Sequence, residues 1–499
     1  MGLGLLKVSN TIYGVVVSLV IVSVLFADFL PLLVSGYDYQ RFILVVLLAS
    51  VVSVGIVMLL FENDGEAYRE VGPALLLAVL FFVLAIPFRD APHNWVEPAL
   101  FAAFFFAFVL LGTLTKRYAQ QGPWVVLFVY IFVATAFFYG ACTLLVYIFV
   151  LSDRVSAISS YIPWGFANIR YWSHIATWLI PLLPLAVLIG PLKHKKLWHV
   201  IVALSAASWW WVVFLSASRG TILGVLFGSG VVIITMGRLS FPWLKVALRY
   251  LVYGLTAWIV LSILVPSLLF DGINVRSFKN QASIEVRAVQ ASEAWEMTLE
   301  NFPFGSGPQS WLTHEIITEK YRDAPKYAHP HNMYLMWAAE YGWLLIVALL
   351  LLVGQAVRNF WARRGELFVG DRYGLALPLV AVTSSVSAAL VHAGVSSVFL
   401  APGSMLVGFI VLSLFWALIS PQKLRVPVRF SFATVAAALL AGVLFGVLSC
   451  YWVRDVTAYH QAMEADELIY YESQPNGTMP RFWVHGNYPR PLSQMGKLD

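Results

Sequence analysis

The sequence predicts an all-α polytopic membrane protein with about 12–14 transmembrane helices and one long external loop that carries an amphipathic helix. Three observations lead there. Of 499 residues, 60% are hydrophobic and only 12% charged, and the mean hydropathy is +0.78, a balance that suits lipid rather than water. Apolar runs of about 17–28 residues recur, the length at which a helix crosses a ~30 Å hydrocarbon core, and their weak alternation argues against a β-barrel. Lysines and arginines collect in alternate loops, as the topology of a multi-span protein requires.

By the length rule, spans fall at about 11–34, 42–61, 73–88, 97–114, 124–151, 172–190, 198–217, 220–236, 247–269, 333–357, 373–396, 402–420 and 431–452, roughly thirteen in all. The first follows Lys7 without a small-x-small cleavage site and reads as an uncleaved signal anchor. Lys116 and Arg117 mark one basic loop; Lys193, Lys195 and Lys196 the next; then Arg238 and Lys245; Arg358, Arg363, Arg364 and Arg372; and Lys423, Arg425 and Arg429. These loops are cytoplasmic by the positive-inside rule, so the N-terminus is inside and the intervals 89–96, 152–171, 270–332 and 394–401 are outside. An odd number of spans puts the C-terminus outside as well. The chain thus divides into a membrane domain, 1–452, which includes the loop 270–332, and an external tail, 453–499. The tail opens with a helical stretch from Asp455 to Tyr471 and ends in polar residues punctuated by Pro and Gly.

Composition also excludes function classes. Cys142 and Cys450 both lie in apolar runs and read as buried small hydrophobes, so neither a disulfide framework nor a cysteine metal site is indicated. The net charge of +6 comes from loop lysines and arginines, which points to membrane topology and not to a nucleic-acid partner. No phosphate-binding glycine loop occurs. A chain whose polar chemistry lies outside, without a nucleotide motif, must act on a substrate that is already activated; no cofactor is expected.

The chemistry concentrates in four places. Arg219, in Ser216-Ala217-Ser218-Arg219-Gly220, stands at the outer junction of two spans, where a cation beside a helix N-terminus calls for an anion; an arginine snorkelling to headgroups is the competing reading. A helix expected from Ser283 to Glu300 places Ile284, Ala288, Ala291, Trp295 and Leu299 on one face, and Glu285, Glu293, Glu296 and Glu300 on another. That pattern would lay the apolar face on the membrane domain, leave the acids in water and turn Arg287 inward, unless Arg287 is simply a solvated surface residue. His331, in His329-Pro330-His331-Asn332, sits at a helix start, where the dipole favours a neutral imidazole able to act as a general base. Asn332 would orient the ring or bind a sugar hydroxyl, and His329 would shape the turn. Arg170 is a further external candidate, for a phosphate or as an interfacial anchor beside Tyr171 and Trp172. Trp209-Trp210-Trp211 would stack on sugars or, more in keeping with its apolar run, pack toward lipid or the interface. His329-x-His331 lacks metal-ligand spacing, so no metal site is expected. Two arginines and a histidine on one side of the membrane suit a reaction in which a diphosphate leaves.

At these residues the chain resembles the O-antigen ligase and O-antigen polymerase superfamily of membrane glycosyltransferases. The resemblance rests on Ser216-Ala217-Ser218-Arg219-Gly220, on the Arg287 helix leading to Asn301-Phe302-Pro303-Phe304-Gly305-Ser306-Gly307, and on His331-Asn332 followed by nine residues and Gly342, in that order across about 200–350. It departs from the ligase pattern where Gly342-Trp343-Leu344 continues with Leu345, and in its odd span count. The resemblance implies a GT-C-like helical fold in a bacterial inner membrane. It further implies metal-independent, inverting transfer of an undecaprenyl-diphosphate-linked glycan on the periplasmic face, with Arg219 and Arg287 at the diphosphate and His331 at the acceptor hydroxyl. The expected acceptor is lipid A-core; a second lipid-linked repeat unit or a protein side chain are the alternatives. A transporter of the same lipid-linked glycan would instead carry charges along a path through the spans, whose interiors here mostly lack them.

Overall fold

The computed structural model describes residues 2–62, 65–88, 94–270, 282–369, 373–421, 432–473 and 480–485, and among them every regular element is helical. The physical reason is backbone satisfaction: in hydrocarbon no water pairs with N–H and C=O groups, and a helix pairs its own. Among the described residues, eleven helices are long and apolar enough to cross a membrane.

Two differences from the expected thirteen spans have local causes. The apolar helix Arg219–Leu269 has 51 residues, about 77 Å if straight, more than twice the hydrocarbon thickness. It is divided where Gly237 adopts φ +53°, between Arg219–Met236 and Phe241–Ile259, and so supplies two crossings. The expected span 172–190 is no continuous α-helix. Ile169–Leu179 is α-helical, but Pro181 and Pro184 remove amide donors and the chain proceeds as the 3₁₀ segment Ile180–Val187. Tyr171 through Ala186 are all buried, so this segment is a central rod within the bundle.

Around that rod, Pro402–Ile419 is buried along its whole length and packs on Val96–Gln120. Ala376–Ala393 packs on Arg219–Met236 along a glycine stripe with a four-residue period. A Cβ on Gly224 would lie 2.6 Å from the Ala388 carbonyl oxygen, and one on Gly228 would lie 2.2 Å from that of Ser384. The backbones therefore touch, which is how helices gain dispersion contact where lipid tails compete for every larger apolar surface. Trp209, Trp210 and Trp211 face the protein interior, not lipid; Trp211 donates to Ser262 Oγ at 2.9 Å.

The expected span 333–357 is broken. Met333–Tyr341 ends at Gly342, which takes φ +85°, and Trp343–Val369 begins afresh. The break is stitched to the 301–307 turn: Trp343 N–H donates to Pro303 O, Ser306 N–H to Ala339 O and Gly307 N–H to Glu340 O, all at 2.9 Å. Any side chain at Gly305 or Gly342 would drive into that backbone seam.

At the C-terminal end, Phe432–Ser473 is one helix that runs without interruption through position 452, where the sequence suggested a domain boundary. Its exposed Leu439, Leu440, Val443 and Leu444 place it at the bundle periphery. Cys450 is exposed on this helix and Cys142 partly so, rather than both being buried; in this apolar stretch the small thiol faces outward with its neighbours. The expected basic-loop residues Arg372, Lys423, Arg425 and Arg429, and the tail from 486 onward, lie outside the described residues.

The glycine stripe makes a direct prediction. Gly228→Leu should lower the detergent-solubilised protein's thermal stability by about 1–3 kcal/mol through overpacking. Gly230→Leu, whose Cβ meets nothing within 4 Å, should leave it unchanged or raise it slightly. Thermal unfolding followed by tryptophan fluorescence reads both; equal melting temperatures for the two variants would contradict the close helix contact.

Candidate active site

The site is built around the turn that precedes Met333–Tyr341. His331 holds φ +55°, a left-handed conformation that costs a non-glycine residue about 1–2 kcal/mol. Its surroundings enforce it. The His331 N–H donates to His329 Nδ1 at 3.2 Å, and the His331 ring meets the edges of His329 and Tyr327 at centroid distances of 4.6 and 5.0 Å. Asn332 is the helix N-cap: its Oδ1 accepts from Tyr334 N and Leu335 N, both at 3.0 Å. That use of its carbonyl corrects the expectation that Asn332 orients the imidazole.

Gln290 orients it instead. Gln290 Nε2 donates to Pro325 O at 3.1 Å, which fixes the amide so that Oε1 faces His331 Nδ1 at 2.8 Å. An acceptor at that distance requires a proton on Nδ1. The neutral ring therefore carries its lone pair on Nε2. The same logic gives His329 the opposite tautomer, because its Nδ1 accepts from the backbone.

Gln290 belongs to the helix Ala282–Glu300, and this helix is rotated relative to the sequence expectation. Ile284, Trp295 and Leu299 are exposed, whereas Gln290, Glu293, Ala294, Met297 and Thr298 are buried. The reason is Glu293. Its carboxylate accepts from Ile317 N and Thr318 N at 2.8 Å, from the Thr318 hydroxyl, and pairs with His314 Nε2 at 3.1 Å. Burial pushes its pKa up, but these donors outweigh burial and leave it below the usual carboxylate value. A carboxylate that orders the 314–318 segment gains more by facing inward than the apolar stripe would. Trp295 meets Trp343 at 5.8 Å, so the exposed stripe lies level with the start of a membrane span.

Arg287, three residues before Gln290, shares the inward face. Its guanidinium pKa is pulled down to about 10, first by burial and then by the charges of Arg170 and Arg219; no carboxylate stands among its electrostatic neighbours in the described residues. The three arginines, distant in sequence, thus share one electrostatic field. Arg219 opens the helix Arg219–Met236, after Ala217 turns the chain with φ +50°. Arg170 lies in the first turn of Ile169–Leu179, whose N-cap Asn168 accepts its N–H at 2.9 Å. The helices that begin at Arg170 and Arg219, together with Met333–Tyr341, add partial positive charge at their N-termini.

The field reaches the histidines. His329 is lowered to about 3, by burial first and then by Arg481, Arg170 and Arg287. His331 is lowered well below the ordinary histidine range, by burial first and then by His329, Arg287 and Arg170. Both imidazoles are neutral at pH 7.

Sequence reasoning missed several neighbours. Gln290 was legible only as the residue one turn beyond Arg287 on the same face. His174 and His392, with rings 5.0 Å apart, lie in buried apolar helices, and His392 presses its Nε2 to within 2.2 Å of where a Cβ on Gly220 would stand. An ionisable residue inside an apolar run is itself a signal. Arg481 gave none, because it lies in a polar tail.

The fold and site define a polytopic, all-helical membrane protein with a cationic site that contains a neutral imidazole. Residues 200–350, which contain Arg219, Arg287 and His331, match the O-antigen ligase family, and this match supports the resemblance to the O-antigen ligase and polymerase superfamily. No curated protein matches the chain.

The tautomer is measurable. In protein labelled with ¹⁵N-histidine, His331 should give an Nδ1–H signal and an unprotonated Nε2 near neutral pH, and Gln290→Leu should remove that preference. An Nε2–H tautomer in the unaltered protein would refute the Gln290 assignment.

Proposed function

We propose that this protein transfers a glycan from an undecaprenyl diphosphate carrier to an acceptor hydroxyl, on the periplasmic face of a bacterial inner membrane. The observation that carries this reading is the convergence of Arg170, Arg219 and Arg287 in one electrostatic field with His331, an imidazole whose Nε2 is left to accept a proton. Three like charges in one field favour binding of a multivalent anion, and a diphosphate offers planar, bidentate partners to guanidinium groups.

The reaction follows from those positions. Arg219 and Arg287, with Arg170, hold the diphosphate of the donor. The acceptor oxygen attacks the anomeric carbon from the opposite side, while His331 Nε2 takes the hydroxyl proton. The bond from the anomeric carbon to the diphosphate oxygen breaks, its electron pair leaves on the diphosphate, and the anomeric configuration inverts. The arginines neutralise the developing charge, the role a divalent metal fills in other transferases, so the reaction proceeds without one.

Donor binding also tunes the base. A histidine depressed as far as His331 is a weak base in the free protein. The bound diphosphate offsets the arginine charges and raises the His331 pKa toward the working range. Lipid A-core is the acceptor favoured by the histidine motif; a second lipid-linked repeat unit or a protein side chain would use the same donor chemistry.

Purified protein in detergent, given the lipid-linked donor with lipid A-core, a second lipid-linked unit or a peptide, should form product with one of them, and that product names the acceptor. His331→Ala should cut the rate by roughly 10²–10⁴-fold, and chelation with EDTA should leave it within about twofold. Full activity in His331→Ala, where detergent precludes translocation, would refute the mechanism. Arg219→Lys and Arg287→Lys, which keep charge and lose the fork, should each cost about tenfold or more.

The pH dependence has a defined sign. Because the free-protein His331 pKa is lowered, the neutral base persists to lower pH than an ordinary histidine, and kcat/KM should show no acid limb near 6.5. In the donor complex the pKa rises, so the acid limb of kcat should lie at higher pH than that of kcat/KM. The reverse order would contradict diphosphate binding beside His331.

A further inference from the structure

Residues 480–485 insert between the membrane helices and the site turn. Arg481 is 1% exposed, and its guanidinium joins three elements. Nη2 donates to Glu97 Oε1 at 2.7 Å and to Glu340 Oε2 at 2.6 Å; Nε reaches both Glu97 oxygens at 3.2 Å; Nη1 donates to Ala328 O at 3.1 Å. Glu97 lies on Val96–Gln120, Glu340 on Met333–Tyr341, and Ala328 immediately before His329.

The backbone of the same segment is gripped from the other side. Arg41 Nε donates to Phe482 O at 2.8 Å and Tyr37 Oη to Arg481 O at 2.6 Å, while Asp38 Oδ1 accepts from Val484 N at 2.8 Å. Phe482 and Trp483 are each 1% exposed, packed against Tyr459 and His460 of the last helix. The insert is therefore built into the fold and not laid on its surface.

Its geometry bears on His331 from two directions. The helix that His331 precedes carries Glu340, which also accepts from Trp311 N at 3.3 Å. The chain entering the His329–His331 turn is held at Ala328 by Nη1 alone among the Arg481 donors. With Gln290 fixing the ring and Ala328 fixing the incoming backbone, the left-handed His331 is constrained at both ends.

We infer that Arg481 is a positioning residue for the transfer reaction, and that the segment 480–485 is an intramolecular clamp that sets His331 by tying the Ala328 carbonyl to Glu97 and Glu340. It rests on the proposed role of His331 as base. The clamp acts on the chemical step and not on donor capture, which belongs to Arg170, Arg219 and Arg287.

Arg481→Lys tests it while keeping the buried positive charge: an ammonium can pair with the two carboxylates but lacks the planar fork that also reaches Ala328 O. A second variant, Arg481→Met with Glu97→Gln and Glu340→Gln, removes the whole charge set and leaves no uncompensated buried ion. Each is measured for thermal stability, for kcat and donor KM, and for the His331 ¹⁵N tautomer. In both, kcat should fall by about tenfold or more with donor KM within about twofold, and His331 should lose its single Nδ1–H signal. Three results would overturn the clamp: kcat within about twofold of wild type in a variant that folds, an unchanged His331 signal, or kcat and KM failing together with lowered stability in both variants, which would mark a purely structural ion cluster. Failure of the wild type to transfer would instead overturn the proposed function, so the two failures are distinguishable.

Discussion

The guanidinium of Arg481, shared between Glu97 and Glu340, is the contact that makes one body of a bundle, a loop and a tail. A charge removed from water is costly unless its partners satisfy it, and breaking one side of such a pair costs about 3–5 kcal/mol. Here one guanidinium bonds two carboxyl groups, and the backbone groups of Ala328 and Trp311 take up further bonding capacity. The cluster therefore specifies where three distant segments meet.

A second electrostatic feature works in the opposite sense. Around His331, burial first and then the neighbouring arginines shift Arg287 and the imidazoles toward their neutral forms. In the clamp, one guanidinium is shared by two carboxyl groups; in the site, the fold brings three arginine-bearing helices into one electrostatic field. The glycine stripe behind Arg219, the Glu293 anchor beneath Arg287 and the N-cap beside Arg170 each fix one arginine's helix.

Much of the fold was legible because membrane helices obey a length rule. The expected spans from 97 to 151 and from 198 to 269 correspond closely to helices. The rule failed where backbone chemistry overrode apolarity: prolines turned 180–187 into a 3₁₀ segment, and Gly342 broke an apolar run at the seam with the 301–307 turn. The amphipathic helix was placed correctly but rotated wrongly. Hydropathy ranked Ile284, Trp295 and Leu299 as the inward face, whereas hydrogen bonds to Glu293 set the inward face and left the apolar stripe at interfacial height.

The sequence by itself determined that this is a helical membrane protein, because apolar run length is a local property. It also singled out Arg170, Arg219 and His331, because polar residues at the ends of apolar runs are conspicuous in a chain so poor in charge, and Arg287 from its place on an amphipathic helix. Only the tertiary structure decided which atom of His331 bears the lone pair, since that depends on Gln290, 41 residues away, and on Pro325 turning the amide. It also decided that Arg481 reaches Glu97 across 384 residues of chain. Such pairings leave no periodic trace, because a hydrogen bond between remote segments is fixed by how the helices pack and not by any spacing along the chain.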